Sequence, residues 1–156
     1  NIDAQGSDVT LVGISYMAHE AREAAKVLHE DSISVEVIDL RSLSPLDTTT
    51  ILQSVKKTGR LLAIDSSAKS LSIASEVIAS VSMNCHNNLK CAPSRLALED
   101  MPSPTSFGLT DTYYLSALEI ALKIMNMLES GKEINKSNFD RKHSHDVPGD
   151  WFEGSF

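Results

Sequence analysis

No stretch of this chain approaches the roughly 20 consecutive apolar residues that a membrane-spanning helix requires, and no charged start leads into the short apolar core of a secretory leader. Cysteine is scarce: only 2 are present, Cys85 and Cys91, set among polar residues. That excludes a disulfide scaffold and points to a reduced, cytoplasmic setting in which the thiols stay unpaired. A structural zinc wants four ligands, and His86 is the single imidazole near them. Glycine is sparse too, at 7 of 156 residues. The turn Gly13-Ile14-Ser15-Tyr16-Met17-Ala18-His19 holds one glycine where a dinucleotide fold needs three for close approach to a pyrophosphate. Phosphate-loop, serine-elbow, zincin and EF-hand patterns are missing as well. Positive charge is in deficit, with 14 Lys and Arg against 21 Asp and Glu and a formal net charge of -7. A nucleic-acid groove needs a basic stripe, and the cations here are scattered.

What is present is ordinary for a globular chain: 42% hydrophobic and 22% charged residues, over a length that supports one domain with its own core. The opening Asn1-Ile2-Asp3, without Met, suggests a piece of a longer polypeptide. Val9 to Ile14 is almost continuously apolar and too short for a buried helix, so it reads as a central strand covered on both faces. From Ala18 to Leu28 the positions Ala21, Ala24, Ala25 and Leu28 recur at helical spacing, with Glu20, Arg22, Glu23 and Lys26 assigned to the opposite side. Val35 to Leu40 is a second strand. Asp47 then caps a helix that carries Lys56 and Lys57 in its last turn and stops at Gly59.

Leu61 to Ile64 is a third buried strand, ending at Asp65. A helix over about residues 70–83 packs through Ala74, Val77, Ile78 and Val81. Arg95 to Glu99 alternates mildly and is expected nearer an edge. Met101-Pro102-Ser103-Pro104-Thr105 cannot be regular structure, because its prolines remove donors and extend the residues before them. A long helix is expected over about residues 111–128, burying Leu118, Ala121, Leu122, Met125 and Leu128. Beyond Gly131 the periodicity ends, and residues 132–156 read as a polar tail interrupted by Trp151, Phe152 and Phe156. Alternating strands and helices imply right-handed crossovers and a mainly parallel sheet with helices on both faces.

Chemistry is thinly represented. His19, at the start of the first helix, could donate to a phosphate or an acidic partner; a structural hydrogen bond to a loop carbonyl weighs more. His29, near a helix end, suits the dipole there. Asp65, followed by Ser66 and Ser67, stands at the sheet edge where catalysis is often placed. No base or nucleophile constellation can be drawn around it, and a capping role is preferred. Glu76 lies among Ala74, Val77 and Ile78, so its carboxylate must be paired or turned to the rim, with Arg41 the candidate partner. His143 and His145 could bind a metal only with ligands from elsewhere. No catalytic, cofactor-binding or metal residue is assigned.

The segment VEVIDLRSLSPLD, residues 35–47, joins a buried strand to a capped helix through an Arg- and Pro-bearing turn. It resembles a signature of the beta subunits of thiamine-diphosphate-dependent 2-oxo acid dehydrogenases, in the last domain of the transketolase-like fold. DVTLVGISYMAHEAREAAKVL (residues 8–28), RLLAIDSSAKSLSIASEVIASV (60–81) and APSRLALEDMPSPTSFGLTDTYYLSALEIALKIM (92–125) are similar to successive strand-and-helix units of that domain. The ending DVPGDWFEGSF, residues 146–156, is similar to the tail of some bacterial members. The chain departs from the family at Ser72 and Ala74, where glycines are usual, at Asp65-Ser66-Ser67-Ala68, and around Leu115-Ser116, where a proline is common.

The resemblance implies a three-layer α/β/α domain over residues 1–131. Its sheet should have five strands, four parallel and one short antiparallel edge strand formed by Asn1 to Gln5. It also implies an assembly role in the dehydrogenase component of a 2-oxo acid dehydrogenase complex. Beta–beta contact, an alpha subunit and the basic subunit-binding domain of an acyltransferase core are the implied partners. Thiamine diphosphate and Mg belong to the full-length enzyme, and this chain alone is expected to bind neither and to be inactive. Arg41, Asp47, Glu76, Phe107 and Leu118 are the interface candidates, with the Pro102–Phe107 turn and the last helix forming the self-contact. The alternatives are the matching domain of a transketolase or deoxyxylulose-phosphate synthase, and a freestanding interaction domain.

Overall fold

The computed structural model describes residues 1–110 and 112–139. Strands β1 (Ile2–Ala4), β2 (Val9–Ile14), β3 (Val35–Leu40), β4 (Leu61–Ala68) and β5 (Ser94–Leu98) form one sheet in the order β1-β3-β2-β4-β5. β1 runs antiparallel to β3, and the remaining pairs are parallel. The expected topology is therefore present, including the short antiparallel edge strand and the edge position of β5. Helices α1 (Tyr16–Glu30) and α2 (Thr48–Thr58) follow β2 and β3, and α3 (Ile73–Cys85) follows β4. A short α4 (Phe107–Thr110) and then α5 (Ala117–Met127) follow β5.

Strand periodicity sorts the core into two faces. Val9, Leu11, Val35, Val37, Leu62 and Ile64 point to α1 and α5. Val12, Ile38, Leu40, Leu61 and Ala63 point to α2 and α3. Each fully buried aliphatic side chain of this kind contributes about 1.5–3 kcal/mol, so the two layers carry most of the stability. Gly6 and Gly59 hold backbone positions that a side chain would disrupt. A Cβ on Gly6 would lie 2.2 Å from the Glu36 nitrogen, and Gly59 ends α2 at φ 77.

The α2 face is not wholly apolar. Thr10 and Glu36 are register partners on neighbouring strands, and both face α2. The Thr10 hydroxyl lies 2.7 Å from Ser54 Oγ and 2.8 Å from Thr58 Oγ1. Glu36 is 1% exposed and binds the Lys57 ammonium and the Gly6 amide. The Thr10, Ser54, Thr58 and Glu36 side chains are each partnered, as the cost of burying polar atoms requires.

Four expectations need correction. Glu20 is buried, not on the solvent side of α1. The closing helix begins at Ala117, because Ser116 is extended and the Glu119 carboxylate accepts its amide at 2.6 Å, a helix-start arrangement. Its buried stripe is Ala117, Ile120, Ala121, Ile124 and Met125, leaving Leu118 half-buried and Leu122 exposed. β4 runs on through Asp65 to Ala68, past a register irregularity against β5. Separately, Ile134 and Phe139 pack against the α1 and α5 layer. Asp111, His143, His145, Trp151, Phe152 and Phe156 lie outside the described residues.

Candidate functional site: the carboxyl edge of the sheet

All four parallel strands release their chain at the same end, so the turns after β2, β3, β4 and β5 gather there. Open α/β sheets bind ligands and partners at this edge. Several of its acids are occupied by the fold. Asp65, 6% exposed, accepts the Ser67 amide at 3.0 Å and the first amide of α3, that of Ile73, at 3.1 Å. This is the capping role preferred from sequence. Glu20 Oε2 accepts the Ala117 amide at 2.8 Å and Oε1 accepts the Tyr16 hydroxyl at 2.7 Å. His29 is exposed in the last turn of α1, as the dipole favours.

His19 is half-buried, with Nδ1 facing Arg22 Nη2. Burial first, and then the Arg22 guanidinium, hold its pKa below the ordinary 6.5. Arg41 is exposed and pairs through Nε with Asp39 at 3.0 Å. Glu76 is exposed in the first turn of α3, so the expected Arg41–Glu76 pair is not made. Asp39, two residues away at the end of β3, is the nearer carboxylate. Asp47 caps α2 as expected, accepting the Thr50 amide at 3.1 Å and its hydroxyl at 2.7 Å, bonds that hold its carboxyl below the usual range.

The apolar residues of this edge are the ones left facing water. Leu43 leaves β3 at 49% exposure, and Met101, Phe107 and Leu109 follow β5 at 57%, 58% and 60%. Leu71, between β4 and α3, is 102% exposed at φ 59. A γ-branched residue in the left-handed region costs about 1–2 kcal/mol, and its neighbours hold it there. The Ser70 amide donates to Asp100 at 2.9 Å, its hydroxyl donates to the same carboxylate at 2.5 Å, and the Lys69 amide donates to the Leu98 carbonyl at 2.7 Å. Sequence periodicity could not find Leu71, because it belongs to no stripe.

Among the described residues no group of three His, Cys, Asp or Glu could hold a metal ion. With Asp65, Glu20 and Asp47 engaged on backbone amides, these residues do not fit a magnesium-bound diphosphate. No described helix is long and apolar enough to cross a membrane, and both cysteines are free.

The family described as transketolase, C-terminal domain, matches residues 1–120. The chain is 38% identical over 132 residues to the beta subunit of acetoin:2,6-dichlorophenolindophenol oxidoreductase from Cupriavidus necator, covering 85% of this chain and 39% of that one. It is 34% identical over 129 residues to the beta subunit of the pyruvate dehydrogenase E1 component from Bacillus subtilis, covering 80% of this chain and 39% of that one. The chain therefore spans about two fifths of the length of these relatives. A split-gene transketolase solved as an inactive beta4 tetramer shares the fold at a TM-score of 0.69 and 22% identity, covering 85% of this chain and 43% of that one. With the five-stranded mixed sheet in place, the chain belongs to the transketolase C-terminal domain family, in the form found in the beta subunits of 2-oxo acid dehydrogenases.

Proposed function

We propose that this chain is the assembly domain of the beta subunit of a 2-oxo acid dehydrogenase complex, and that its carboxyl edge is a subunit contact. The observation that carries this is Leu71: fully exposed, backbone-strained, and next to Ser70, whose amide and hydroxyl donate to Asp100 on a neighbouring turn. Strain at a positive φ persists where surrounding structure enforces it, and such positions cluster at binding sites. Leu43, Met101, Phe107 and Leu109 extend the apolar surface around it. Asp65, Glu20 and Asp47, by contrast, are engaged in holding helix starts.

In this reading the Pro102–Phe107 turn and Leu118 contribute to beta–beta contact, while Arg41, Asp47 and Glu76 supply a charged rim. The acyltransferase core and an alpha subunit are further partners, and the net charge of -7 suits a basic docking domain. The whole protein would work in the cytoplasm, decarboxylating a 2-oxo acid on thiamine diphosphate and Mg held by other segments. Residues 1–131 would form the domain and residues 132–156 a tail.

Light scattering tests the contact. Leu71→Asp and Phe107→Asp should lower the assembled mass of the chain while leaving the circular dichroism unchanged. Met83→Asp, exposed near the end of α3, should not. Unchanged mass in both edge variants would refute the contact. Calorimetry with thiamine diphosphate and Mg should show no tight binding to this chain. Thermal stabilisation by sugar phosphates would favour the transketolase-type alternative.

A further inference from the structure

Asp3, His19, Arg22 and Asp39 converge where edge strand β1 meets α1 and β3. Arg22 bridges two of them: Nη1 donates to the Asp3 carboxylate and Nη2 meets His19 Nδ1. A guanidinium has only donors, so Nδ1 must be the acceptor, and the imidazole is neutral with its proton on Nε2. Asp3, whose side chain is 10% exposed, is thereby tied to α1 through a guanidinium oriented by the ring. Besides this tie, β1 is held by Ala4, which packs on the α1 and α5 layer, and by its pairing with β3. It is three residues long, with an irregular register against β3. The Asn1 nitrogen donates to the Asp39 carbonyl at 3.1 Å and the Asp39 amide donates to the Asn1 carbonyl at 3.0 Å.

We infer that His19, Arg22 and Asp3 form an acid-released latch on β1. Protonating Nδ1 sets a donor against a donor and a cation against a cation, so the guanidinium turns away and Asp3 loses its partner. Among the described residues, charged groups acting on the ring include Arg22 and Glu20 from α1, Asp3 from β1 and Asp39 from β3, the last paired with Arg41. Burial and Arg22 outweigh the three carboxylates, which act in the opposite direction. The folded value therefore lies below the unfolded 6.5. The latch's contribution is complete above that pH and is lost as pH falls through the folded value. Release of β1 leaves β3 as the sheet edge, with its backbone groups open to pairing.

Hydrogen exchange tests the latch, with rates corrected for intrinsic pH dependence. Amides of residues 2–4 should lose protection about fivefold more than those of β2 between about pH 7.5 and about pH 5.5. His19→Gln keeps a neutral acceptor for Arg22 at every pH, and its protection should stay level. Asp3→Asn should be equally unprotected at both pH values. A level profile in the parent chain, or an equal loss in His19→Gln, would overturn the inference. So would an NMR titration placing the His19 midpoint above 6.5.

Discussion

Glu20 and Ala117 stand 97 positions apart in the chain and 2.8 Å apart in space, the carboxylate of one accepting the backbone amide of the other. The start of α5 is thus seated on α1 by a buried acid, and the negative charge faces the positive end of the helix dipole. Glu20→Ala would leave the Ala117 amide and the Tyr16 hydroxyl without this acceptor, and should cost about 2–3 kcal/mol. Glu20→Gln keeps a carbonyl and should cost less. Urea unfolding measures both, and an unchanged midpoint in the alanine variant would contradict the role.

Glu36 leads to a pH prediction. Burial alone would raise its pKa, but bonds from Lys57, Ser54 and the Gly6 amide outweigh burial and lower it below the ordinary 4.5. A carboxylate with a lower pKa folded than unfolded adds stability above the unfolded value and loses it as pH falls through the folded one. Acid unfolding should therefore steepen below about pH 4.5. Lys57→Met should weaken that dependence and cost about 2–3 kcal/mol at neutral pH, less than the about 3–5 kcal/mol of a fully buried pair because Lys57 is half-exposed. Adding Glu36→Gln should restore part of the loss; no restoration would show that the two act independently.

Asp65 divides the structural reading from the catalytic one. Asp65→Ala releases two amides, at Ser67 and Ile73, and should lower stability by about 1–2 kcal/mol. Asp65→Asn retains an acceptor and should be milder. A fully stable alanine variant would remove the capping account.

Gly59→Ala should cost about 1–2 kcal/mol. Its backbone is at φ 77, and the new methyl would lie 2.8 Å from the Lys90 side chain. Lys90 can shift, but that move threatens its 3.0 Å bond to the Thr58 carbonyl. Thermal unfolding reads the loss, and a stabilised variant would be inconsistent with the helix end described.

Much of the fold was legible because its signals are local. The apolar runs of β2, β3 and β4, the Asp47 cap and the Gly59 stop each depend on a few neighbouring residues. Glu20 was misplaced on chemistry, not on period: Met17, Glu20, Ala21, Ala24 and Leu28 share the buried face of α1. A carboxylate on such a face looks like a solvent residue until something supplies a donor, and that donor lies in α5. The late start of α5 did leave a local trace, the Ser116-Ala117-Leu118-Glu119 spacing of a capping box. Leu71 left none, since exposure and a positive φ depend on how the β4 and β5 turns brace each other.

The order of strands and helices, the two apolar faces and the family likeness were written in residue type and spacing, because burial demands periodicity and helix ends demand caps. Which charged groups would be buried, which turn would present an apolar knob, and which acids would serve as helix supports were decided only on folding. Those outcomes depend on groups far apart in sequence meeting at hydrogen-bond distance, and one-dimensional spacing carries no record of that meeting.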